Sequence, residues 1–334
     1  MKKPFKVSHS KIKLGRRCHK AYYYKYVMKL RKRVKSRALI VGSLVHSCLE
    51  SYFRHGYYLP EIRKWKDQEF KKMFKEEQAL HADVIPLVKE LIRGYIKTWD
   101  ARGLQMLWVE KEFEVEISPG IVLIGKIDGL AECDKGRRWL VEHKTCKKMP
   151  GEEVRIFDTQ AILYTRALPF IDEEPVTGVV WDYLRTKLPA KPELLAKGGL
   201  STRKNIDTTP EVYRREIKRH GLDPIGYEGI LEELEAKRDN FYRQIRLPFN
   251  QSMGDRVMEE LIITSWQLQD LEERHSEGED CFARNLTRDC SWCDYSTLCH
   301  AELRGDDTEY LLKHDYIVRK KDGEKEINID TGEG

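Results

Sequence analysis

The sequence contains no run of about 18 apolar residues, the length that a membrane-spanning helix needs. We therefore expect no membrane span and no membrane partner. The N-terminus is basic, but no apolar segment follows it, a pattern that argues against a secretory signal. Hydrophobic residues make up 40% of the 334 positions and charged residues 34%, so the composition predicts a globular, cytoplasmic protein with one large core or two smaller ones.

The chain also has little excess charge. Its 60 basic residues are nearly balanced by 55 acidic ones, and a net charge of +5 does not by itself indicate nucleic-acid binding. Basic residues are clustered in residues 29–37, which form either a solvated face or a contact for backbone phosphates beside the nearby tyrosines. Residues 185–210 are also basic and are punctuated by proline and glycine. They predict a long inserted loop that touches DNA, closes over a site or is a plain surface excursion.

The eight cysteines are unevenly spaced, which favours reduced thiols or a metal site over a disulfide framework. Three of them form the pattern Cys290-x2-Cys293-x5-Cys299. Thiolates at such close spacing suit an iron–sulfur cluster or zinc. A fourth ligand is needed, and either the nearby Cys281 or the remote Cys18 can supply it.

The most informative stretch predicts a β-hairpin, with strands over residues 121–132 and 139–145 and a turn between them. Side chains alternate along a strand, so Glu142 and Lys144 share one face and His143 lies on the other. Asp128, on the first strand, can be brought beside Glu142. Two carboxylates suit Mg²⁺ or Mn²⁺, and a lysine beside them can stabilise a phosphate or orient a water. The alternative is that Glu142 and Lys144 form an ordinary surface ion pair and that Asp128, with the glycine after it, marks a turn.

Other segments supply elements around this hairpin. Residues 38–57 predict a helix that carries His46, which taken alone is read as a packed residue. Residues 107–117 predict a strand whose four glutamates share a solvated face, although one of them could approach a metal. Gln160 and Tyr164 are four apart on a predicted helix and so lie on one face. Further helices are predicted over residues 61–79, 83–101, 211–220, 227–245 and 254–275. Alternation of strands and helices predicts an α/β fold with a mixed sheet.

Taken in order, four motifs resemble the PD-(D/E)XK nuclease superfamily in its RecB-like branch. They are Gly42-x3-His46, Gly125-x-Ile-Asp128, Glu142-x-Lys144 and Gln160-x3-Tyr164. The cysteines resemble those of the iron–sulfur subgroup, which includes the CRISPR-associated RecB-like exonucleases and the AddB helicase–nuclease. The insertion that contains residues 200–205 is similar to versions carried by bacteriophages. One departure from the family motif is Ile127, which precedes Asp128 where the name PD-(D/E)XK has proline.

The resemblance implies a restriction-endonuclease-like core, with a central mixed sheet flanked by helices and with added helices. His46, Asp128 and Glu142 are then expected to bind Mg²⁺ or Mn²⁺ together with the backbone carbonyl of His143. Lys144 is expected to orient the water or stabilise the phosphate, and Gln160 and Tyr164 to position the strand or Lys144. A 4Fe–4S cluster, with zinc as the alternative, is expected on Cys18, Cys290, Cys293 and Cys299, which favours Cys18 over Cys281.

The resemblance also implies how the chain is organised. Residues 1–318 are expected to form one nuclease domain, and residues 319–334 a flexible tail. Within the domain, residues 1–37 and 280–300 bind the cluster, which joins the two ends of the chain, and residues 185–210 form the inserted loop.

The implied function is metal-dependent hydrolysis of DNA, most simply by an exonuclease that acts on single strands or ends in recombination, repair or replication. DNA is the expected partner, together with a recombinase, helicase or replication protein, in a prokaryotic or phage-infected cell. The alternative is a nonhydrolytic DNA-binding or recruitment protein that retains the fold.

Overall fold

The structure is a computed structural model that describes residues 3–151, 158–171 and 175–319. The chain divides into two compact units. A terminal unit takes residues up to Lys35, residues 112–125 and residues from Gln251 onward, and a central unit takes residues 36–111 and 126–250. Both predicted cluster-binding segments fall almost wholly in the terminal unit. The expected single nuclease domain over residues 1–318 stays a prediction, and residues 320–334 of the expected tail lie outside the described residues.

The strands form one mixed sheet and one small ribbon. In the described ranges the strands are β1 (Phe5–Val7), β2 (Leu30–Lys32), β3 (Leu104–Ser118), β4 (Ile121–Cys133), β5 (Arg138–Cys146), β6 (Gly178–Arg185), β7 (Tyr242–Pro248) and β8 (Tyr316–Val318). The six-stranded sheet has the order β1-β4-β5-β6-β7, with β3 paired to β4. β5 and β6 are parallel, whereas β4 with β5 and β6 with β7 are antiparallel. Strands β2 and β8 form the antiparallel ribbon.

Helices surround this sheet, which confirms the predicted α/β fold. They are α1 (His9–Arg17), α2 (His19–Tyr22), α3 (Arg37–His55), α4 (Leu59–Gln68), α5 (Lys75–Leu80), α6 (Val84–Asp100), α7 (Thr159–Ala167), α8 (Pro210–Arg219), α9 (Glu228–Ala236), α10 (Gln251–Ser276), α11 (Ser296–Arg304) and α12 (Glu309–Asp315). In the part of the chain that the structure describes, no helix is long and apolar enough to cross a membrane.

The core of the central unit lies between the sheet and helices α3 and α6. Both helices are amphipathic and bury residues at helical spacing, among them Leu44 and Cys48 on α3 and Leu91 and Tyr95 on α6. Cys48 is therefore a small core residue, as predicted. Strand β6 is buried along nearly its whole length, as is typical of a strand with parallel pairing that is covered on both faces.

The terminal unit brings the two ends of the chain together. The Lys20 N–H donates a 2.9 Å hydrogen bond to the Ala283 carbonyl, and Arg16 Nε donates one of 2.8 Å to Thr264 Oγ1. Gly15 on α1 packs so closely on Leu268 of α10 that an added Cβ would lie 2.6 Å from a leucine methyl. This contact explains the glycine in the middle of a helix, where it costs stability relative to alanine.

Two predicted helices are wrong in extent. The helix predicted over residues 227–245 ends at Ala236, and β7 follows because Tyr242 and Ile245 are buried beside β6. The helix predicted over residues 61–79 is divided into α4 and α5 by a short 3₁₀ turn at Phe70–Lys72. Phe70 and Met73 pack on the core at this turn, so tertiary packing overrides the helical propensity of the charged segment.

The predicted insertion is a long connection from β6 to α8, and it is tied down at both ends. Asp207 pairs with Arg185 at 2.8 Å and with Lys187 at 2.6 Å. Leu200, in its middle, is buried in a small cluster with Tyr213 of α8 and residues of α9. The insertion therefore has its own apolar packing.

Candidate metal centre

Asp128 and Glu142 come together because their strands are neighbours. The antiparallel ladder between β4 and β5 extends as far as Gly129 and Val141, and Asp128 and Glu142 are the next residues along. Beyond this point the Asp128 side chain replaces the backbone partner, since its Oδ2 accepts a 2.8 Å hydrogen bond from the His143 N–H. The backbone pairing of β4 with β5 therefore ends at the point where the two carboxylates meet.

Helix α3 brings His46 to the same place. An added Cβ on Gly42, one turn earlier, would lie 3.5 Å from Thr145 Oγ1 of β5, so the helix passes close to the strand. His46 Nδ1 lies 3.6 Å from Asp128 Oδ1 and 3.5 Å from Glu110 Oε1. Ligand atoms of His46, Glu110 and Asp128 all lie within 4.8 Å of one another, which suits one divalent cation.

Glu110 is the member of this group that the sequence did not single out. Its φ is 52°, in the left-handed region that residues other than glycine rarely adopt, in the middle of β3. Before this residue, the buried positions of the strand shift from the even-numbered Leu104 to the odd-numbered Val109. Glu110 is 9% exposed, and its Oε2 pairs with Lys126 at 2.7 Å. The other glutamates of the strand, Glu112, Glu114 and Glu116, are exposed as predicted.

Glu142 is 1% exposed, and its two oxygens are in different situations. Oε1 accepts hydrogen bonds from Lys144 Nζ and, at 2.8 Å, from Gln160 Nε2. Oε2 is buried and has no hydrogen-bond partner. An unpaired buried carboxylate oxygen is costly unless something else neutralises it, so this atom fits a bound cation.

Burial raises the pKa of Glu142 to about 7, and repulsion from Asp128 adds to the effect. Burial also raises the pKa of Asp128, although His46 and the His143 N–H oppose the change. Burial lowers the pKa of His46, but its hydrogen bond to Glu110 and the charges of the carboxylates outweigh it, so the net direction is upward. Like charges held together away from water are relieved by a cation.

Lys144 and Gln160 complete a hydrogen-bonded triangle with Glu142, since Lys144 Nζ also donates to Gln160 Oε1 at 3.3 Å. Burial lowers the pKa of Lys144, but the carboxylates of Glu142 and Asp128 raise it by more than burial lowers it. The net direction is upward, so the ammonium stays charged. Tyr164, one turn after Gln160 on α7, is buried. Burial raises its pKa and the carboxylates of Glu142 and Asp128 add to this, so the phenol stays neutral.

The His143 side chain lies on the opposite face of β5, as predicted. Its Nε2 and the Tyr95 hydroxyl are 2.9 Å apart, and that hydroxyl donates a 2.8 Å hydrogen bond to Asp182. Asp182 is fully buried, and its carboxylate also accepts hydrogen bonds from Arg102 Nη1 at 2.5 Å and from Gln244 Nε2 at 3.1 Å. Burial lowers the pKa of His143 well below its usual value, and the charges of His46 and Lys144 add to this. A buried network of a neutral His143, Tyr95 and the Arg102–Asp182 ion pair therefore supports the strand from behind.

The family model of the PD-(D/E)XK nuclease superfamily matches residues 6–300 of the chain. The chain belongs to the PD-(D/E)XK nuclease superfamily. No curated protein matches the chain. A solved structure described as "Crystal structure of SSO0001" is 13% identical, with 78% of this chain and 84% of that chain covered and a TM-score of 0.29. At that TM-score the likeness carries no weight for fold or function.

Membership of the PD-(D/E)XK superfamily indicates a metal-dependent nuclease that acts on DNA. The residues present fit the divalent metal that such a nuclease uses, because the ligand group of His46, Glu110 and Asp128 lies in the same unit as the unpaired oxygen of Glu142. The structure thus brings the side chains of His46, Asp128, Glu142, Lys144 and Gln160 together, and it adds Glu110. The part of the His143 carbonyl stays a prediction.

Five of the eight cysteines of this PD-(D/E)XK protein lie in the terminal unit, namely Cys18, Cys281, Cys290, Cys293 and Cys299. Cys18, Cys290, Cys293 and Cys299 line one small cavity, whereas Cys281 is not among its lining residues. The Cys281 thiol instead donates a 3.2 Å hydrogen bond to the Leu271 carbonyl. The four cavity cysteines thus form the set that the resemblance implied.

Two of these sulfurs have hydrogen-bond donors beside them. The Asn285 N–H lies 3.4 Å from Cys18 Sγ, and Arg17 Nη2 lies 4.0 Å from Cys293 Sγ. Such donors suit cluster thiolates, whose potential depends on hydrogen bonds to sulfur.

Proposed function

We propose that the protein is a metal-dependent DNA nuclease, and specifically an exonuclease that acts on single-stranded DNA or DNA ends. The observation that carries this proposal is the convergence of His46, Glu110 and Asp128, in ligand distance of one another, with the buried Glu142–Lys144 pair in the same unit. The ligand set is His46, Asp128 and Glu142 with the His143 carbonyl, and Glu110 is added to it.

Each group has a part in the proposed hydrolysis. A divalent cation in this ligand set supplies charge for the phosphate and activates water near neutral pH. Lys144 is fixed by Glu142 and Gln160, so its ammonium is oriented before substrate arrives and stabilises negative charge that develops on the phosphate. Gln160 and Tyr164 lie on one turn of α7 and position Lys144 and the scissile strand.

We further propose that Cys18, Cys290, Cys293 and Cys299 hold a 4Fe–4S cluster, with zinc as the competing occupant. The cavity that these four cysteines line together and the separate hydrogen bond of Cys281 support this ligand set. Such a cluster ties the junction of α1 and α2 to α11 and the segment before it, and so joins the two ends of the chain. Assignment to the RecB-like branch, a bacteriophage origin and a role in recombination, repair or replication rest on the sequence motifs.

The test is digestion of single- and double-stranded oligonucleotides labelled at the 5′ or the 3′ end, with Mg²⁺ or Mn²⁺ and anaerobically purified protein. The proposal predicts stepwise loss of label from single strands and from ends, and loss of all cleavage in Lys144→Ala. Internal cuts without any end dependence would exclude exonuclease action. Binding without cleavage in any condition would favour a nonhydrolytic DNA-binding protein.

A further inference from the structure

The terminal unit has a second concave pocket, which neither the metal centre nor the four cavity cysteines explain. It encloses about 670 Å³ of space open to solvent. Three cations line it, Lys13 and Arg17 from α1 and Lys25 from the following turn, together with Trp292, Tyr295 and Asp294. The pocket therefore combines an aromatic wall with a predominance of positive charge.

Trp292 is 67% exposed, although tryptophan is among the largest apolar side chains and is usually well buried. Trp292 lies between Cys290 and Cys293, and its backbone belongs to a short 3₁₀ turn. Tyr295, three residues later, is buried, and its hydroxyl donates a 2.8 Å hydrogen bond to the Leu30 carbonyl. The ring of Trp292 is thus presented to solvent on a segment that is anchored nearby.

The charges at the pocket are not balanced within it. Among the residues that the structure describes, Asp294 is the one carboxylate that lines the pocket, against Lys13, Arg17 and Lys25. Lys25 is partly buried, and burial lowers its pKa; Arg319 and Arg17 lower it further, whereas Asp294 opposes them. Cations that repel one another in a concave, partly desolvated place are relieved by an anionic ligand.

We propose that this pocket binds an unpaired nucleotide of a DNA strand, with the base stacked on Trp292 and the adjoining phosphates held by Lys13, Arg17 and Lys25. Stacking on an exposed aromatic ring beside a positively charged groove is how proteins hold single strands without regard to sequence, because every base has a π-face. Bases in a duplex already stack on each other and leave no free face for Trp292. The proposal rests on the proposed function in that the strand is taken to be the substrate of the nuclease.

The main test measures binding of a labelled single-stranded oligonucleotide by fluorescence anisotropy, in EDTA so that cleavage does not interfere. Trp292→Ala is expected to weaken binding about 5- to 100-fold, as the loss of one stacked base does. Trp292→Phe keeps a stacking surface and is expected to stay close to the wild type. Trp266→Ala is the matched control, because Trp266 is also half exposed in the same unit but is not among the lining residues of the pocket.

Two further arms separate stacking from charge. A strand with abasic linkers has phosphates but no bases, so Trp292→Ala is expected to have no effect on its binding. Lys13→Ala is expected to weaken binding to both strands and to lower the slope of log affinity against log salt by about 0.7. Equal effects of Trp292→Ala and Trp266→Ala, or equal weakening for normal and abasic strands, would overturn the proposal. So would competition by a glutamate-rich peptide as strong as that by DNA.

The outcome can be distinguished from failure of the proposed function. Cleavage by Asp128→Asn is measured on the same oligonucleotide with Mn²⁺. If this variant cleaves normally while Trp292→Ala weakens binding, the catalytic assignment is wrong and the strand-binding pocket stands. If Asp128→Asn is inactive and Trp292→Ala binds normally, only the pocket is refuted.

Discussion

Glu110 Oε1 lies 3.5 Å from His46 Nδ1, at a position where the backbone of strand β3 takes a φ of 52°. A left-handed residue in a strand costs free energy, of order 1–3 kcal/mol, and such strain is concentrated at functional sites. The unusual backbone belongs to a carboxylate that lies beside His46 and Asp128. We infer that the local distortion serves to present Glu110 to the cation.

The first prediction follows from this geometry. Glu110→Gln is expected to weaken Mn²⁺ binding by at least about 10-fold, because an anionic oxygen is replaced by a neutral amide. Titration calorimetry or the electron paramagnetic resonance signal of free Mn²⁺ measures this without DNA. Glu112→Gln, on the same strand but exposed, is the control and should bind as the wild type does. Equal affinities in the two variants would remove Glu110 from the ligand set.

A second prediction concerns the pH dependence of the metal-free protein. Burial raises the pKa of Glu142 from 4.5 to about 7, so the folded state binds a proton more tightly than the unfolded state. The resulting stability is present below about pH 4.5 and is lost as the pH rises through 7. Glu142→Gln removes this pH-dependent contribution to stability. The free energy of unfolding of the variant should therefore fall less than that of the wild type between pH 5 and pH 8.

Urea unfolding in EDTA at these two pH values checks this, and the difference between the variants isolates Glu142 from His46, whose raised pKa acts in the same direction. Adding Mn²⁺ should reverse the trend for the wild type, because only the ionised carboxylates bind the metal. Parallel pH profiles for the two proteins would show that Glu142 is not held protonated.

A third prediction concerns the network behind the site. Arg102→Met leaves the fully buried Asp182 without its guanidinium, which should cost about 3–5 kcal/mol in the free energy of unfolding. Arg93→Met breaks an exposed pair with Glu90 and should cost less than about 1 kcal/mol. Chemical unfolding of both variants tests this. Similar losses would mean that Asp182 is stabilised by Tyr95 and Gln244 alone.

A fourth prediction separates the two cysteine sets. Protein purified without oxygen should be brown and absorb near about 400 nm, and Cys18→Ser should lose most of this absorbance and its iron. Cys281→Ser should keep both, because Cys281 does not line the cavity. Colourless wild-type protein prepared under the same conditions with one equivalent of zinc would rule out the iron–sulfur assignment.

The parts of the site that the sequence predicted are those that follow from local periodicity. Glu142 and Lys144 share a face because a strand has period two, and Gln160 and Tyr164 share one because a helix repeats near four. His46 is separated from Asp128 by many residues. Only the order of the motifs, through the resemblance to the nuclease superfamily, predicts that His46 is a metal ligand. No local pattern brings a helix and a hairpin together.

Glu110 was missed for a definite physical reason. Strict alternation assigns Glu110 to the same solvated face as Glu112, Glu114 and Glu116, but the backbone of Glu110 is left-handed and so departs from regular strand geometry at that residue. The helix predicted over residues 227–245 extends into strand β7 because Arg243, Gln244 and Arg246 suit either structure, and the pairing of β7 with β6 decides the outcome. The exposure of Trp292 likewise depends on how the turn is anchored, which composition does not report.

The most direct test of the central claim is a paired measurement of DNA cleavage and Mn²⁺ affinity on Asp128→Asn and Lys144→Met. The account predicts that Asp128→Asn loses both cleavage and tight Mn²⁺ binding, whereas Lys144→Met keeps most of its Mn²⁺ affinity and loses cleavage. Circular dichroism confirms that both variants are folded. Undiminished cleavage by folded Asp128→Asn would contradict the account, since hydrolysis would then occur elsewhere in the chain.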